Sequence, residues 1–173
     1  YANGLGVAID LPKANALYQK VCDGGTMEGC RRLGAHYQFG KGIAKDLSKA
    51  NALYQKACDG GNLWGCALLA LNYATGSGVA KDVSKANVLY QKACDGGTML
   101  ACFNVGYNYE HGDGTDKDVS KAQALYEKAC DGRYLEGCMR LGTHYQLGTG
   151  VSKDLSKANA LYQKACDGGH WPS

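Results

Sequence analysis

Apolar and small residues return at steps of three and four along the chain, and the whole pattern returns every 36 residues. In one copy Leu47, Ala50, Tyr54, Ala57 and Cys58 fall at such steps, which places them on one face at about 100° per residue. The spacing predicts a helix, A. Asp46 stands where an N-cap is needed, and Pro12 in the first copy suits a helix's first turn. Lys56 lies near the other end, where a cation complements the dipole, and Gly60-Gly61 allow the left-handed residue that closes many helices. A second helix, B, carries Cys30, Leu33, Gly34 and Tyr37 and ends at Gly40-Lys41-Gly42 before Ile43. The small residue at Gly34 returns as Ala70, Gly106 and Gly142. Glycine inside a helix costs roughly 1 kcal/mol relative to alanine, so its return points to close helix–helix approach; inheritance through duplication is the other source.

Residues 1–9 match the end of a unit, with Tyr1, Gly4, Gly6 and Val7 one period before Tyr37, Gly40, Gly42 and Ile43. Full units are expected at 10–45, 46–81, 82–117 and 118–153, and 154–173 begins a fifth. A unit this small cannot bury its own apolar face, so neighbours stack and the core is built lengthwise. The expected class is an all-α solenoid of antiparallel helix pairs.

Nine cysteines sharpen the register. Cys22 and Cys30, Cys58 and Cys66, Cys94 and Cys102, and Cys130 and Cys138 are each eight positions apart, the first of each pair at the end of helix A and the second near the start of B. A bridge there fastens two arms across their turn, worth roughly 2.5 kcal/mol on the chain-entropy model. Regular pairing suggests an oxidising compartment. Zinc is the competing reading, but its sites bring short-spaced ligand pairs together, and no second pair or histidine stands at a fixed offset. Cys166 is left unpaired: its partner would fall at position 174, so the chain reads as cut from a longer array, with a free reactive thiol as the alternative.

Charge excludes one class of partner. Nineteen Lys and Arg against sixteen Asp and Glu give +3, with lysines spread through all units beside aspartates, so no basic stripe for nucleic acid exists. No run approaches the roughly 18 apolar residues of a membrane span. Catalytic signatures are also missing. The residues three after Ser48, Ser77, Ser84, Ser120, Ser152 and Ser156 are Asn51, Ala80, Asn87, Gln123, Leu155 and Asn159, never lysine, which removes the Ser-x-x-Lys of serine β-lactamases. Gly76-Ser77-Gly78 has the wrong spacing for a nucleophile elbow. His36 and His144 share one repeat position three units apart, and with His111 and His170 they read as polar residues on helix surfaces. The Asp46 and Asp59 columns read as caps and turn residues. No catalytic residue, metal ligand or cofactor is assigned.

Asp-Leu-Ser-Lys-Ala, Leu-Tyr-Gln-Lys-Ala-Cys, Gly-Cys, Leu-Gly, Tyr and Gly-x-Gly-Val together resemble Sel1-like repeats, in the disulfide-bearing version of the Helicobacter cysteine-rich proteins. The resemblance covers essentially the whole chain. It implies a right-handed superhelix of antiparallel helix pairs, related in shape to tetratricopeptide arrays, in a secreted or periplasmic protein. It also implies binding of a protein or peptide, with a β-lactamase or penicillin-binding label attached to some members, and hence a β-lactam or peptidoglycan-related ligand as the alternative. Related arrays act as assembly factors in the mitochondrial intermembrane space. A spacer whose copy number sets its length is a further, structural reading.

Two features are candidates for binding. Asn15, Asn51, Asn87, Gln123 and Asn159 form a column of amides inside helix A; these either hold an extended peptide backbone or bond to neighbouring helices and water. Positions 27, 28, 31, 32, 35, 36, 38 and 39 vary freely between copies, giving Met27, Glu28, Arg31 and Arg32 in one unit but Leu63, Trp64, Ala67 and Leu68 in the next. Such variation is surface drift or partner-specific decoration. Trp64 and Trp171 are the aromatic anchors, since tryptophan is enriched at binding hot spots; packing between units is the plainer role.

Overall fold

A computed structural model describes residues 10–168 of the chain. The sequence expectations for 1–9, Gly169, His170 and Trp171 lie outside those residues. The described residues form nine helices: α1 (Leu11–Asp23), α2 (Met27–Phe39), α3 (Leu47–Asp59), α4 (Leu63–Thr75), α5 (Val83–Asp95), α6 (Met99–His111), α7 (Val119–Asp131), α8 (Leu135–Leu147) and α9 (Leu155–Gly168). Odd-numbered helices are the A helices and even-numbered ones the B helices.

The caps explain the starts. Asp10, Asp46 and Asp118 each accept a hydrogen bond from the backbone N–H three residues on, and Asp82 and Asp154 do the same for Lys85 and Lys157. One orphan donor per helix is thereby satisfied. Each B helix closes on a left-handed glycine, as at Gly40, Gly76, Gly112 and Gly148. At the A-to-B turn the left-handed residue is the second glycine, Gly61 at φ 88°, not Gly60 at φ −79°.

Contacts divide the chain into two compact units, 1–89 and 90–173, with the boundary inside α5. In the first, α1 packs on α2, α2 on α3 and α3 on α4. Asn15 meets His36 while Cys22 meets Cys30, so α1 and α2 run antiparallel. In the second, α6 packs on α7, α7 on α8 and α8 on α9, and Gln123 meets His144 while Cys130 meets Cys138. Within each unit the same pairing of consecutive helices repeats, the layout of an α/α solenoid.

The core is built of alanine, tyrosine, leucine and cystine. Ala50, Tyr54 and Leu69 form one fully buried cluster in the first unit, and Ala122, Tyr126 and Leu141 its counterpart in the second. Burial of a leucine such as Leu69 is worth roughly 1.5–3 kcal/mol. The tyrosine needs room, which a glycine supplies. A Cβ on Gly34 would stand 2.8 Å from the Tyr54 ring, and one on Gly106 2.9 Å from Tyr126. Close helix approach is thus a physical reason for the recurring small residue.

Cystines join Cys22 to Cys30, Cys58 to Cys66, Cys94 to Cys102 and Cys130 to Cys138, each with Cα atoms 4.5–4.6 Å apart. In the third of these, Cys94 closes α5 and Cys102 lies in the first turn of α6. Cys166 is free and exposed. No described helix is long and apolar enough to cross a membrane.

Candidate functional site

The amide column sits where helix A faces the loop that follows helix B. Asn15 Nδ2 donates to the Lys41 carbonyl at 2.9 Å, Asn51 Nδ2 to that of Ser77 at 2.8 Å and Gln123 Nε2 to that of Thr149 at 2.6 Å. Their second contact is on helix B, 21 residues on. Asn72 Nδ2 donates to Asn51 Oδ1 at 2.6 Å, His36 Nδ1 lies 2.5 Å from Asn15 Oδ1, and His144 Nδ1 lies 3.3 Å from Gln123 Nε2. Asn15 and Asn51 are buried, Asn87 is half-buried and Asn159 is exposed. For Asn15, Asn51 and Gln123 the donors are committed to loop carbonyls, which makes these three clasps within the chain.

That arrangement corrects the reading of the histidines. His144 is 2% exposed and His36 half-buried, because both point along helix B toward the amide of helix A; His111 alone of the three described lies at the surface. Desolvation and the Lys41 charge hold His36 below the usual imidazole range, against a hydrogen bond that the ring donates to the same lysine's backbone carbonyl. His144 Nε2 is 3.4 Å from Glu110 Oε1, within ion-pair reach but off the hydrogen-bond line. Tyr126 donates to Glu110 Oε2 at 2.6 Å, and Arg140 Nε is 4.0 Å from that oxygen. Burial opposes ionisation of Glu110, yet the Tyr126 hydroxyl, His144 and Arg140 together hold its carboxyl below the usual range.

The bridged cysteines belong to the core and not to a site. Cys22, Cys30, Cys66, Cys94, Cys102 and Cys138 are wholly buried, and Cys58 and Cys130 nearly so. Each sulfur is bonded to its partner, so none is a thiolate that could attack a substrate or bind a metal.

Position 38, read as freely variable, has a structural task that sequence reasoning missed. Its residues accept from the tyrosine of the next A helix: Tyr54 to Gln38 at 2.7 Å, Tyr126 to Glu110, Tyr162 to Gln146 at 2.8 Å. A second column was also missed. Lys49, Lys85, Lys121 and Lys157 lie 4.3–5.5 Å over the rings of Tyr37, Tyr73, Tyr109 and Tyr145, a cation–π contact worth about 0.5–1 kcal/mol at an exposed site. The 12-residue offset between tyrosine and lysine was the available signal.

What remains uncommitted is the outer face of the B helices. In the first unit α4 contains no charged residue between Leu63 and Thr75. Trp64 is 52% and Leu71 45% exposed, with Leu68 partly buried between them, at i, i+4 and i+7 along one stripe. Trp64 therefore leaves about half of its surface open to solvent. Beside it runs α2, registered by Asn62 to Glu28 at 3.3 Å and Gln38 to Asn72 at 3.5 Å. Glu28 binds both Arg31 and Arg32, and the Arg31 hydrogen bond above all draws its carboxyl down to about 2 against a desolvation cost. Phe39, 65% exposed, carries Lys41 over its ring. In the second unit the same face holds an open groove of about 280 Å³ lined by Phe103, Glu136, Met139, Arg140, Thr143 and Tyr162.

Among the described residues no group of three or more His, Cys, Asp or Glu side chains is placed to hold a metal ion. The two faces offer apolar contact and hydrogen bonding.

Comparison with known proteins gives the lineage. The Sel1 repeat matches residues 1–26, 28–62, 65–98, 100–134 and 135–170. A Sel1 repeat protein from Oxalobacter formigenes is 31% identical with a TM-score of 0.93, over 98% of this chain and 69% of that one. Helicobacter pylori cysteine rich protein B is 33% identical with a TM-score of 0.60, over 75% of this chain and 92% of that one. The c5321 protein, described as a protective antigen of uropathogenic Escherichia coli strains with an SLR fold, is 26% identical with a TM-score of 0.90 over 96% of this chain. This chain spans only 36% of its length. No curated protein sequence matches. Five repeat matches across the chain, helices in successive packed pairs and a cystine at each described A-to-B turn place the protein in the Sel1 repeat family, among relatives that include a Helicobacter cysteine-rich protein.

Proposed function

We propose that the chain is a binding scaffold for a protein or peptide, working in an oxidising compartment such as the periplasm or the cell exterior, and that a partner docks on the α4 face of the first unit. One observation carries this reading: α4 exposes Trp64 and Leu71 on a helix without a single charge. Exposed apolar area of this kind is costly in water and is recovered by a partner. Arg31 and Arg32 share one carboxylate, leaving a positive surplus at the margin, and Lys41 adds to it. The fitting occupant is an apolar or aromatic segment flanked by Asp or Glu.

Selection of a displayed peptide library on the oxidised protein tests this. Enriched peptides should pair aromatic or aliphatic residues with acidic flanks. Trp64→Ala should weaken them about 30-fold, the ~2 kcal/mol of a hot-spot residue. Equal binding by the variant, or enrichment of basic peptides, would reject the α4 face. Hydrolysis of a chromogenic β-lactam above background by the same metal-controlled preparation would instead carry an enzymatic reading.

A further inference from the structure

The amide clasp occurs in chemically different copies, and one of them has a property the others lack. In the first unit Asn15 Nδ2 donates to the Lys41 carbonyl, so its Oδ1 faces His36 Nδ1 and must accept from it. His36 thus already carries its Nδ1 proton, and a second proton enters at Nε2 without disturbing the clasp. Asn51 pairs with Asn72, which does not titrate. The second unit reverses the roles. Gln123 Nε2 donates to the Thr149 carbonyl at 2.6 Å, and this same nitrogen faces His144 Nδ1 at 3.3 Å. An amide nitrogen has only donors to offer, so Nδ1 is an acceptor there and the neutral ring bears its proton on Nε2, toward Glu110 Oε1 at 3.4 Å.

We propose that Gln123, His144 and the Thr149 carbonyl form a proton-operated latch on the loop joining α8 to α9. A proton added to His144 Nδ1 places two donors against each other. The Gln123 amide then turns over so that Oε1 accepts from Nδ1–H, and the oxygen that replaces Nε2 faces the Thr149 carbonyl, acceptor to acceptor. The loop Gly148-Thr149-Gly150 loses that anchor and shifts. Glu110 on α6 supplies the counter-charge for the imidazolium. The other polar groups around the ring are Tyr126 on α7, edge-on at 5.7 Å, and Arg140 one turn away on α8, directed at Glu110. From α9, Tyr162 is engaged by Gln146 and Lys157 lies over Tyr145.

Nuclear magnetic resonance of the intact oxidised protein between about pH 8 and pH 5, the range in which imidazoles titrate, reads every part of this. At high pH the His144 ring should show the Nε2–H tautomer and His36 the Nδ1–H tautomer. As His144 gains its proton, the Gln123 side-chain amide and the Thr149 and Gly150 backbone signals should shift with the same midpoint, while the Lys41 loop stays still through the His36 titration. His144→Asn, the residue that Asn72 and Asn108 place at this position, should fold and abolish the pH shift of Thr149. A Thr149 signal that stays flat while His144 titrates would overturn the latch, as would a shift that survives in His144→Asn, a Nδ1–H tautomer at high pH, or a ring that takes up no proton in this range.

Discussion

At the turn between α7 and α8 Arg133 holds φ at 66°, where the other described A-to-B turns use Gly25, Gly61 and Gly97. It is the one non-glycine residue with positive φ among those described. A side chain in the left-handed region costs about 1–2 kcal/mol through the crowding of Cβ against the following carbonyl. Arg133→Gly should therefore raise stability by about 1 kcal/mol, seen as a higher denaturant midpoint at unchanged slope. Residue-scale chemistry of this kind was half legible. The Gly-Gly pattern marked the turn, and its lapse at Gly132-Arg133 is visible in the sequence. The clasps at Asn15, Asn51 and Gln123 were not, since an amide's partner 21 or 26 residues away leaves no local signature.

At the scale of elements, the cystines and the tyrosine pockets divide the work. Cys58–Cys66 ties α3 to α4 across their turn, and Gly34 lets α2 lie against the Tyr54 ring of α3. The first contact constrains the unfolded chain and the second fills the folded core. Replacing Cys58 and Cys66 together by serine should cost roughly 2.5 kcal/mol by loop-closure entropy. Chemical denaturation of the otherwise oxidised protein measures it, and a loss near zero would mean that the adjoining turn already restricts the unfolded chain. Helix limits and cysteine spacing were legible in the sequence because both are set by residues close together along it. The B-helix faces did not follow, because the same repeat position holds buried His144, the half-buried His36 and buried Asn72.

At the scale of the molecule, the buried tyrosines recur in both units and make stability depend on pH at its alkaline end. Burial pushes Tyr54 and Tyr90 up to about 12, against about 10 for tyrosine in an unfolded chain. Burial also raises Tyr126, with Glu110 as acceptor adding to it. The protonated tyrosines stabilise the fold fully below pH ~10, and that contribution is lost as pH rises toward 12. Tyrosinate absorbance should accordingly rise in two stages, exposed rings first and buried ones in step with loss of the helical circular dichroism signal. A single stage with the helical signal intact would contradict the burial of this column.

The 36-residue register, the alternation of A and B helices, the caps and the eight-residue cysteine spacing can all be read without any coordinates, because each is written in short, fixed intervals along the chain. Which polar residues are spent inside the protein, and which apolar ones are left outside, depends on packing. Asn51 could have faced a peptide and Trp64 a neighbouring helix. In the fold Asn51 donates to the loop carbonyl of Ser77, 26 residues away, and Trp64 stays 52% exposed, since burial is fixed by what the chain brings alongside and not by what stands next in sequence.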